Sequence, residues 1–128
     1  RRLNDTRAIV ANFRQGSNTT PPDDDFQYQE SSDLNARGYA IMPKNNYSYY
    51  YASAGLHQAE LAVNASGTAD FDLYLQRWNG YQWVTVASST SPGNDERISY
   101  NGSAAYYRWY IYSYAGAGTA TLSYNLPQ

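Results

Sequence analysis

Carboxylate side chains are the main chemical resource of this sequence. Asp23, Asp24 and Asp25 are consecutive in a stretch rich in Pro, Ser and Thr. Asp70 and Asp72 are two residues apart in a segment of alternating apolar residues, so in a strand both carboxylates lie on one face and can bind one ion. Oxygen ligands of this type suit Ca²⁺. The alternatives are a solvated acidic linker and strand carboxylates that hydrogen-bond a turn.

Asp95 and Glu96 form a further acidic pair beside a predicted loop. Two carboxylates are also what a glycosidase requires, one on either side of the bond that is cleaved. The sequence predicts no cleft around its strand carboxylates, and we do not expect this activity.

His57 is the only histidine, which restricts the possible catalytic chemistry. A Ser-His-Asp triad would have to use it, and no serine lies in the sequence context of a nucleophile elbow. A histidine-rich metal site is excluded. The absence of cysteine excludes disulfides, thiolate metal sites and a cysteine nucleophile. We therefore expect His57 to be a strand residue and the domain to be non-catalytic.

The segment 106–114 contains the densest group of aromatic residues. In a strand, Trp109, Ile111 and Ser113 share one face. The opposite face carries Arg108, Tyr110, Tyr112 and Tyr114. A sandwich core needs only one of these faces, so the second row can contact a ligand surface. The alternative is that a loop or a neighbouring strand covers the row, because tyrosine is also a good strand former.

Two tryptophans flank a predicted hairpin turn at Asn79-Gly80. Trp78 precedes the turn and Trp83 follows it. Exposed tryptophans near a hairpin tip can stack on sugar rings, as in many carbohydrate-binding modules. The alternative is that the two indoles pair across the strands and stabilise the hairpin.

Composition and charge restrict the class of protein. The chain has 128 residues, which allows one domain with a core, and contains 15 tyrosines but a single lysine, Lys44. With abundant Gly, Ser, Thr and Asn, this composition is typical of an extracellular all-β module. The net charge is −2 and the body has no basic stripe, so we expect neither nucleic acid nor a membrane as a partner. No apolar run approaches the length of a membrane span.

The chain divides into three predicted parts. Residues 1–16 are expected to be a short helical or extended tail, left from an upstream domain or a propeptide. Residues 17–36 are predicted to be an acidic Pro/Asp linker. Residues 37–128 contain about eight short segments of period two separated by turns, which predicts an antiparallel two-sheet β-sandwich. The chain starts at Arg1 without a signal peptide, so we expect a piece of a longer processed precursor.

Three motifs together resemble the bacterial pre-peptidase C-terminal domain. They are the sequence Ala-Asp-Phe-Asp-Leu-Tyr-Leu at 69–75, the tryptophan hairpin at 78–84, and the tyrosine-rich segment 106–116. Domains of this family resemble a small jelly roll and follow the catalytic domains of secreted proteases; the collagen-binding domains of clostridial collagenases share the architecture. The resemblance covers about residues 37–126.

The resemblance implies a secreted, extracellular accessory domain with an upstream catalytic domain in the same precursor. Its partner would be an insoluble polymer, either a fibrous protein such as collagen or a polysaccharide. We also expect a monomer. Two alternatives stay open: a maturation or stability module that packs on the catalytic domain without a ligand, and a carbohydrate-binding module of a glycoside hydrolase.

The resemblance also implies two sets of site residues. Collagen-binding members use tyrosines of the late strand, which match Tyr110, Tyr112 and Tyr114. Calcium-binding members combine an acidic linker with strand aspartates. The matching calcium ligands here are Asp23, Asp24, Asp25, Glu30, Asp70 and Asp72.

Overall fold

A computed structural model describes residues 26–127, apart from residues 46, 66 and 92–94. Within these residues the chain forms nine strands: β1 (Tyr28–Leu34), β2 (Tyr39–Met42), β3 (Tyr50–Ala52), β4 (Gly55–Asn64), β5 (Asp70–Trp78), β6 (Trp83–Ser89), β7 (Glu96–Gly102), β8 (Ala105–Ala115) and β9 (Gly118–Asn125). No described segment is a helix, so none is an apolar helix of membrane-spanning length. The tail predicted over residues 1–16 lies outside the described residues.

The strands form two antiparallel sheets that pack face to face. The four-stranded sheet has the order β1-β9-β4-β7. The five-stranded sheet has the order β2-β8-β5-β6, and β3 also pairs with β8. Consecutive antiparallel strands in two packed layers confirm the predicted all-β sandwich.

Alternation of apolar and polar residues explains why these segments form strands with one buried face. In β5, Phe71, Leu73 and Leu75 are fully buried. In β8, Trp109 and Ile111 are likewise fully buried between the sheets. Each of these side chains is two residues from the next, so all of them point to the same side of their strand. The residues between them therefore point outward, which is what places the candidate binding side chains.

Strand β1 corrects the predicted boundary of the linker. Residues 28–34, expected to be part of the linker 17–36, pair along their whole length with β9 at the edge of the four-stranded sheet. The sequence of this strand is polar because its outward side chains bond to β9. Gln29 Nε2 donates to Ser123 Oγ at 3.1 Å, and Ser31 Oγ lies 2.9 Å from Thr121 Oγ1. A polar edge strand and a linker look alike in sequence, since neither needs a run of apolar residues.

Candidate functional site

The outer side of the five-stranded sheet carries a layer of large side chains, which we call the aromatic face. Its members come from five strands, and cross-strand pairing places them side by side. They are Tyr39, Ile41, Tyr51, Tyr74, Gln76, Trp78, Trp83, Thr85, Tyr106, Arg108, Tyr110, Tyr112 and Tyr114. The predicted outward orientation of Arg108 and the alternate tyrosines of β8 is confirmed, because the residues between them are buried.

A depression of about 460 Å³ lies at the hairpin end of the aromatic face, and we call it the tryptophan cleft. Its lining comes from the segment before β3 and from strands β5, β6 and β8. The lining residues are Tyr47, Ser48, Tyr49, Trp78, Trp83, Tyr106 and Arg108. The structure therefore brings Arg108 together with both predicted tryptophans.

The two tryptophans also pair with each other across the hairpin. Their ring centroids are 5.4 Å apart in an edge-to-face arrangement. The turn between them has four residues, and Asn79 Oδ1 closes it by accepting the N–H groups of Tyr81 and Gln82 at 2.8 and 2.9 Å. The pairing holds the indoles in place while both still line the cleft. The structure therefore shows the pairing of the two indoles, while their stacking on a sugar ring stays a prediction.

Arg108 lines the tryptophan cleft, and two contacts hold its side chain in place. Its guanidinium carbon lies 4.6 Å from the centroid of the Trp83 ring, a cation–π contact. Its Nε donates to Gln76 Oε1 at 2.7 Å. Burial lowers the pKa of Arg108, and the guanidinium stays charged at neutral pH. No other described residue bonds to its two terminal nitrogens, so they can donate to a ligand.

A second, more open depression of about 430 Å³, the tyrosine groove, adjoins the cleft. It is lined by Tyr74, Gln76, Thr85, Tyr110 and Tyr112. The Tyr110 ring is held between two neighbours. It stacks on Tyr39 with centroids 5.4 Å apart, and Tyr74 meets it edge-on at 6.0 Å. Gln76 belongs to the groove and bonds to Arg108 of the cleft, so the two depressions are contiguous.

The structure divides the three tyrosines that were predicted as one row. Tyr110 and Tyr112 line the groove, whereas Tyr114 lines neither depression. Arg37 lies beside the outer two: its Nη1 donates to the Tyr112 hydroxyl at 3.1 Å, and its guanidinium carbon is 5.2 Å from the Tyr114 ring centroid. This hydrogen bond raises the pKa of Arg37. Tyr114 is therefore at the margin of the aromatic face.

The predicted calcium ligands do not all lie together. Asp23, Asp24 and Asp25 are outside the described residues. Glu30 lies in β1 and accepts hydrogen bonds from the Tyr124 hydroxyl and the Lys44 N–H. The two strand aspartates meet a carboxylate that the calcium prediction did not include. Oxygens of Asp70, Asp72 and Glu96 all lie within 4.8 Å of one another.

His57 is a buried strand residue of β4, as predicted. The Tyr50 hydroxyl and His57 Nδ1 are hydrogen-bonded at 3.0 Å, and the Tyr107 ring centroid is 4.2 Å from that of the imidazole. Burial lowers the pKa of His57 to about 4, so the ring is neutral at pH 7. Its described ring neighbours are tyrosines, and none is the serine or carboxylate of a triad.

Solved structures of other proteins share this fold. One is the pre-peptidase C-terminal domain of a collagenase from Bacillus anthracis, with 20% identity and a TM-score of 0.59 over 78% of this chain and 90% of that domain. The fold is that of a pre-peptidase C-terminal domain. The Yersinia pseudotuberculosis-derived mitogen is also similar, with 12% identity and a TM-score of 0.53 over 77% of this chain and 84% of that one. No family profile matches the sequence.

Within this pre-peptidase C-terminal fold, the segment before β3 supplies cleft residues that sequence reasoning missed. Tyr47, Ser48 and Tyr49 precede β3, which begins at Tyr50. Asn45 Oδ1 accepts the N–H groups of Tyr47 and Ser48 at 2.9 and 2.6 Å, and this turn places Tyr49 6.0 Å from Trp83 between ring centroids. The asparagine before a run of tyrosines was the available signal, because asparagine side chains favour such turns.

Proposed function

We propose that this chain is a non-catalytic accessory domain of a secreted hydrolase, first of all a protease, and that its aromatic face binds an insoluble polymer. The observation that carries the proposal is the continuity of the tryptophan cleft and the tyrosine groove on one open sheet face. Large contiguous groups of exposed apolar side chains usually mark a binding site. The similar fold of a collagenase domain supports a protease as the parent enzyme.

The rings that would contact the polymer are already held in place. Tyr110 stacks on Tyr39, and Trp83 packs between Trp78 and Arg108. Aromatic side chains with few rotatable bonds lose little entropy on binding, and rings fixed beforehand lose still less. The free terminal nitrogens of Arg108 would donate to carbonyl or hydroxyl oxygens of the polymer. Binding of this kind keeps a tethered catalytic domain at a high effective concentration near its substrate.

A fibrous protein of the collagen type is the first candidate ligand. Collagen chains have the polyproline-II conformation, and proline-rich segments of this conformation dock in grooves lined by aromatic rings. The tyrosine groove, with Tyr74, Tyr110 and Tyr112, is a groove of this kind. The neighbour from Bacillus anthracis, a domain of a collagenase, supports the same ligand class.

A polysaccharide is the second candidate, and the tryptophan cleft favours it. Trp78 and Trp83 both line the cleft next to a fixed guanidinium. Sugar rings stack on indoles, and arginine donates to sugar hydroxyls. The remaining alternative is a stability module whose aromatic face packs on the upstream catalytic domain.

Depletion of the soluble chain by insoluble polymers tests these candidates. The panel is collagen, elastin, keratin, chitin, cellulose and xylan, used with the wild type and with Trp83→Ala and Tyr110→Ala. Tyr81→Ala is the matched control, because Tyr81 is 89% exposed at the hairpin tip and lines neither depression. We expect one polymer to deplete the wild type and the control but neither face variant.

The pattern of loss separates the two ligand classes. Depletion by collagen that depends on Tyr110 supports the fibrous protein, and depletion by chitin, cellulose or xylan that depends on Trp83 supports the polysaccharide. If no polymer depletes the wild type, the binding role is rejected and the stability module takes its place.

A further inference from the structure

The tryptophan cleft contains a positive charge that the described part of the chain does not neutralise. Arg108 is the only charged side chain among the described residues that line the cleft. Its hydrogen bond goes to the neutral amide oxygen of Gln76, and its guanidinium lies over the Trp83 ring. Arg97, on the other sheet, has a carboxylate partner in Glu60. Arg108 has no such partner among the described residues.

The charge of Arg108 is also partly withdrawn from water. The side chain is half-buried among aromatic rings, and this burial lowers its pKa. On the same sheet, Asp72 lies four residues before Gln76 in β5, about 13 Å away along the strand. A charged group that loses contact with water is normally paired with an opposite charge. An anionic ligand would supply the charge that the cleft lacks.

The other polar groups around the cleft are free as well. Tyrosine and serine hydroxyls and two indole N–H groups border it, and none of them bonds to another described residue. They belong to Tyr47, Ser48, Tyr49, Trp78, Trp83 and Tyr106. A sugar has several hydroxyls on one ring and C–H groups that stack on aromatic rings. A polypeptide backbone offers one donor and one acceptor per residue. Free hydroxyls among aromatic rings therefore favour a sugar over a polypeptide.

The segment before β3 is held over the cleft by a strained turn. Ser48 has a φ of 61°, a left-handed conformation that is unfavourable for residues other than glycine. Asn45 Oδ1 stabilises it by accepting the Ser48 N–H at 2.6 Å. The rings of Tyr47 and Tyr49 then lie 5.7 Å apart between centroids. Backbone strain of this kind is concentrated at ligand-binding sites.

We propose that the tryptophan cleft binds an acidic sugar, one whose ring carries a carboxylate, as a unit of an anionic polysaccharide. The inference rests on the proposed function, because it names the polymer that the aromatic face binds. The carboxylate accepts from the two terminal nitrogens of Arg108, the paired geometry that guanidinium and carboxylate groups favour. The sugar ring stacks on an indole, and Trp78 is 37% exposed. The free hydroxyls bond to those of the sugar.

Titration of the wild type, followed by tryptophan fluorescence, tests the charge of the ligand. The probes are polygalacturonate, alginate and hyaluronate, each compared with its methyl ester, which keeps the sugar ring and removes the charge. We expect saturable binding of at least one acid and at least tenfold weaker binding of its ester. Equal binding of an acid and its ester, or no binding of any acid, would overturn the proposal.

Arg108→Met tests whether the discrimination arises in the cleft. The substitution keeps a long side chain and removes the charge, so the difference in affinity between the acid and its ester should disappear. Arg97→Met is the matched control, because it removes one positive charge from the four-stranded sheet. It should keep the full difference. Equal loss in both variants would mean non-specific attraction and would reject the site. If Arg108→Met fails to fold, the comparison of acid and ester in the wild type still decides.

Poly-L-glutamate distinguishes an acidic sugar from an acidic polypeptide. We expect it to bind at least tenfold more weakly than the best acidic polysaccharide, and equal binding would assign the cleft to a polypeptide instead. Depletion by collagen or a neutral polysaccharide, without binding of any acid, would leave the polymer-binding function standing and overturn this inference. Saturable binding of an acid that depends on Arg108, without depletion by any insoluble polymer, would do the reverse.

Discussion

The outer faces of the two sheets differ in how far their side chains bond within the protein. The four-stranded sheet presents polar side chains that bridge its strands: Gln29 with Ser123, Ser31 with Thr121, Asp33 with Thr119, and Glu60 with Arg97. The five-stranded sheet presents rings that contact one another and leave open depressions. A face whose polar groups already bond to each other has few free donors and acceptors with which to bind a partner. The aromatic face exposes more apolar area than folding requires, which is the physical basis for assigning the binding role to it.

Trp109→Ala should have the largest effect on stability, because it changes the core directly beneath the aromatic face. Trp109 is fully buried between two outward residues of β8. We expect a loss of about 3–5 kcal/mol in unfolding free energy, because the substitution leaves a large cavity. Urea denaturation measures it. A loss below about 1 kcal/mol would contradict the placement of this indole in the core.

Acid should destabilise the domain through His57, which faces the core from the four-stranded sheet. The folded-state pKa of about 4 lies below the ordinary value of 6.5, so the unfolded chain takes up the proton first. Stability is complete above about pH 6.5 and falls as the pH drops towards 4, by up to about 3 kcal/mol.

His57→Gln provides the comparison for this pH dependence. Chemical denaturation at pH 7.0, 6.0 and 5.0 should show the loss in the wild type and a smaller slope in the variant. Equal slopes in the two proteins would mean that His57 is protonated without cost in the fold.

Trp83→Ala should remove binding with a smaller effect on stability. The indole contacts Trp78, Tyr49 and Arg108 and lines the tryptophan cleft. A buried aromatic contact at a binding site contributes about 2 kcal/mol or more, so we expect at least a tenfold weaker affinity for the polymer that depletes the wild type. Thr121→Ala on the opposite sheet is the control and should bind as the wild type does. Equal weakening by both variants would remove the distinction between the faces.

Arg97→Ala should have the smallest effect, because it changes only the polar face. Its ion pair with Glu60 is largely solvent-exposed on the arginine side. Exposed pairs of this kind contribute about 0.2–1 kcal/mol, and salt screens them. Thermal melts at low and high salt would measure the difference, and polymer depletion should stay unchanged. A loss of depletion in this variant would indicate that the ligand contacts the four-stranded sheet.

Alternation of apolar and polar residues along the sequence predicted the strands in which this pattern is strongest. Phe71, Leu73 and Leu75 identified β5, and the outward orientation of Arg108 and Tyr110 followed from period two along β8. Alternation of apolar and polar residues could not identify β1. The residues of β1 are polar because they bond to β9, a strand that is distant in the sequence. Strand pairing between remote segments leaves no mark on the local sequence of an edge strand.

The candidate site was likewise predicted only in part from the sequence. Trp78 and Trp83 were recognised from the turn between them. Tyr49 of the cleft was not identified, because the sequence analysis did not include the side chain–backbone turn at Asn45. Glu96 was not connected with the strand aspartates, since it lies 24 positions after Asp72 in the chain.

The sequence by itself determined which residues face inward and which face outward on each strongly patterned strand. This follows because side-chain direction alternates with every residue of a strand, whatever the strand packs against. Only the tertiary structure decided which outward residues become neighbours: the tryptophan cleft with its Tyr49, the separation of Tyr114 from Tyr110, and the meeting of Glu96 with Asp70. These contacts depend on strand order and on the crossing between sheets, which are settled by long-range pairing and core packing and not by any local pattern.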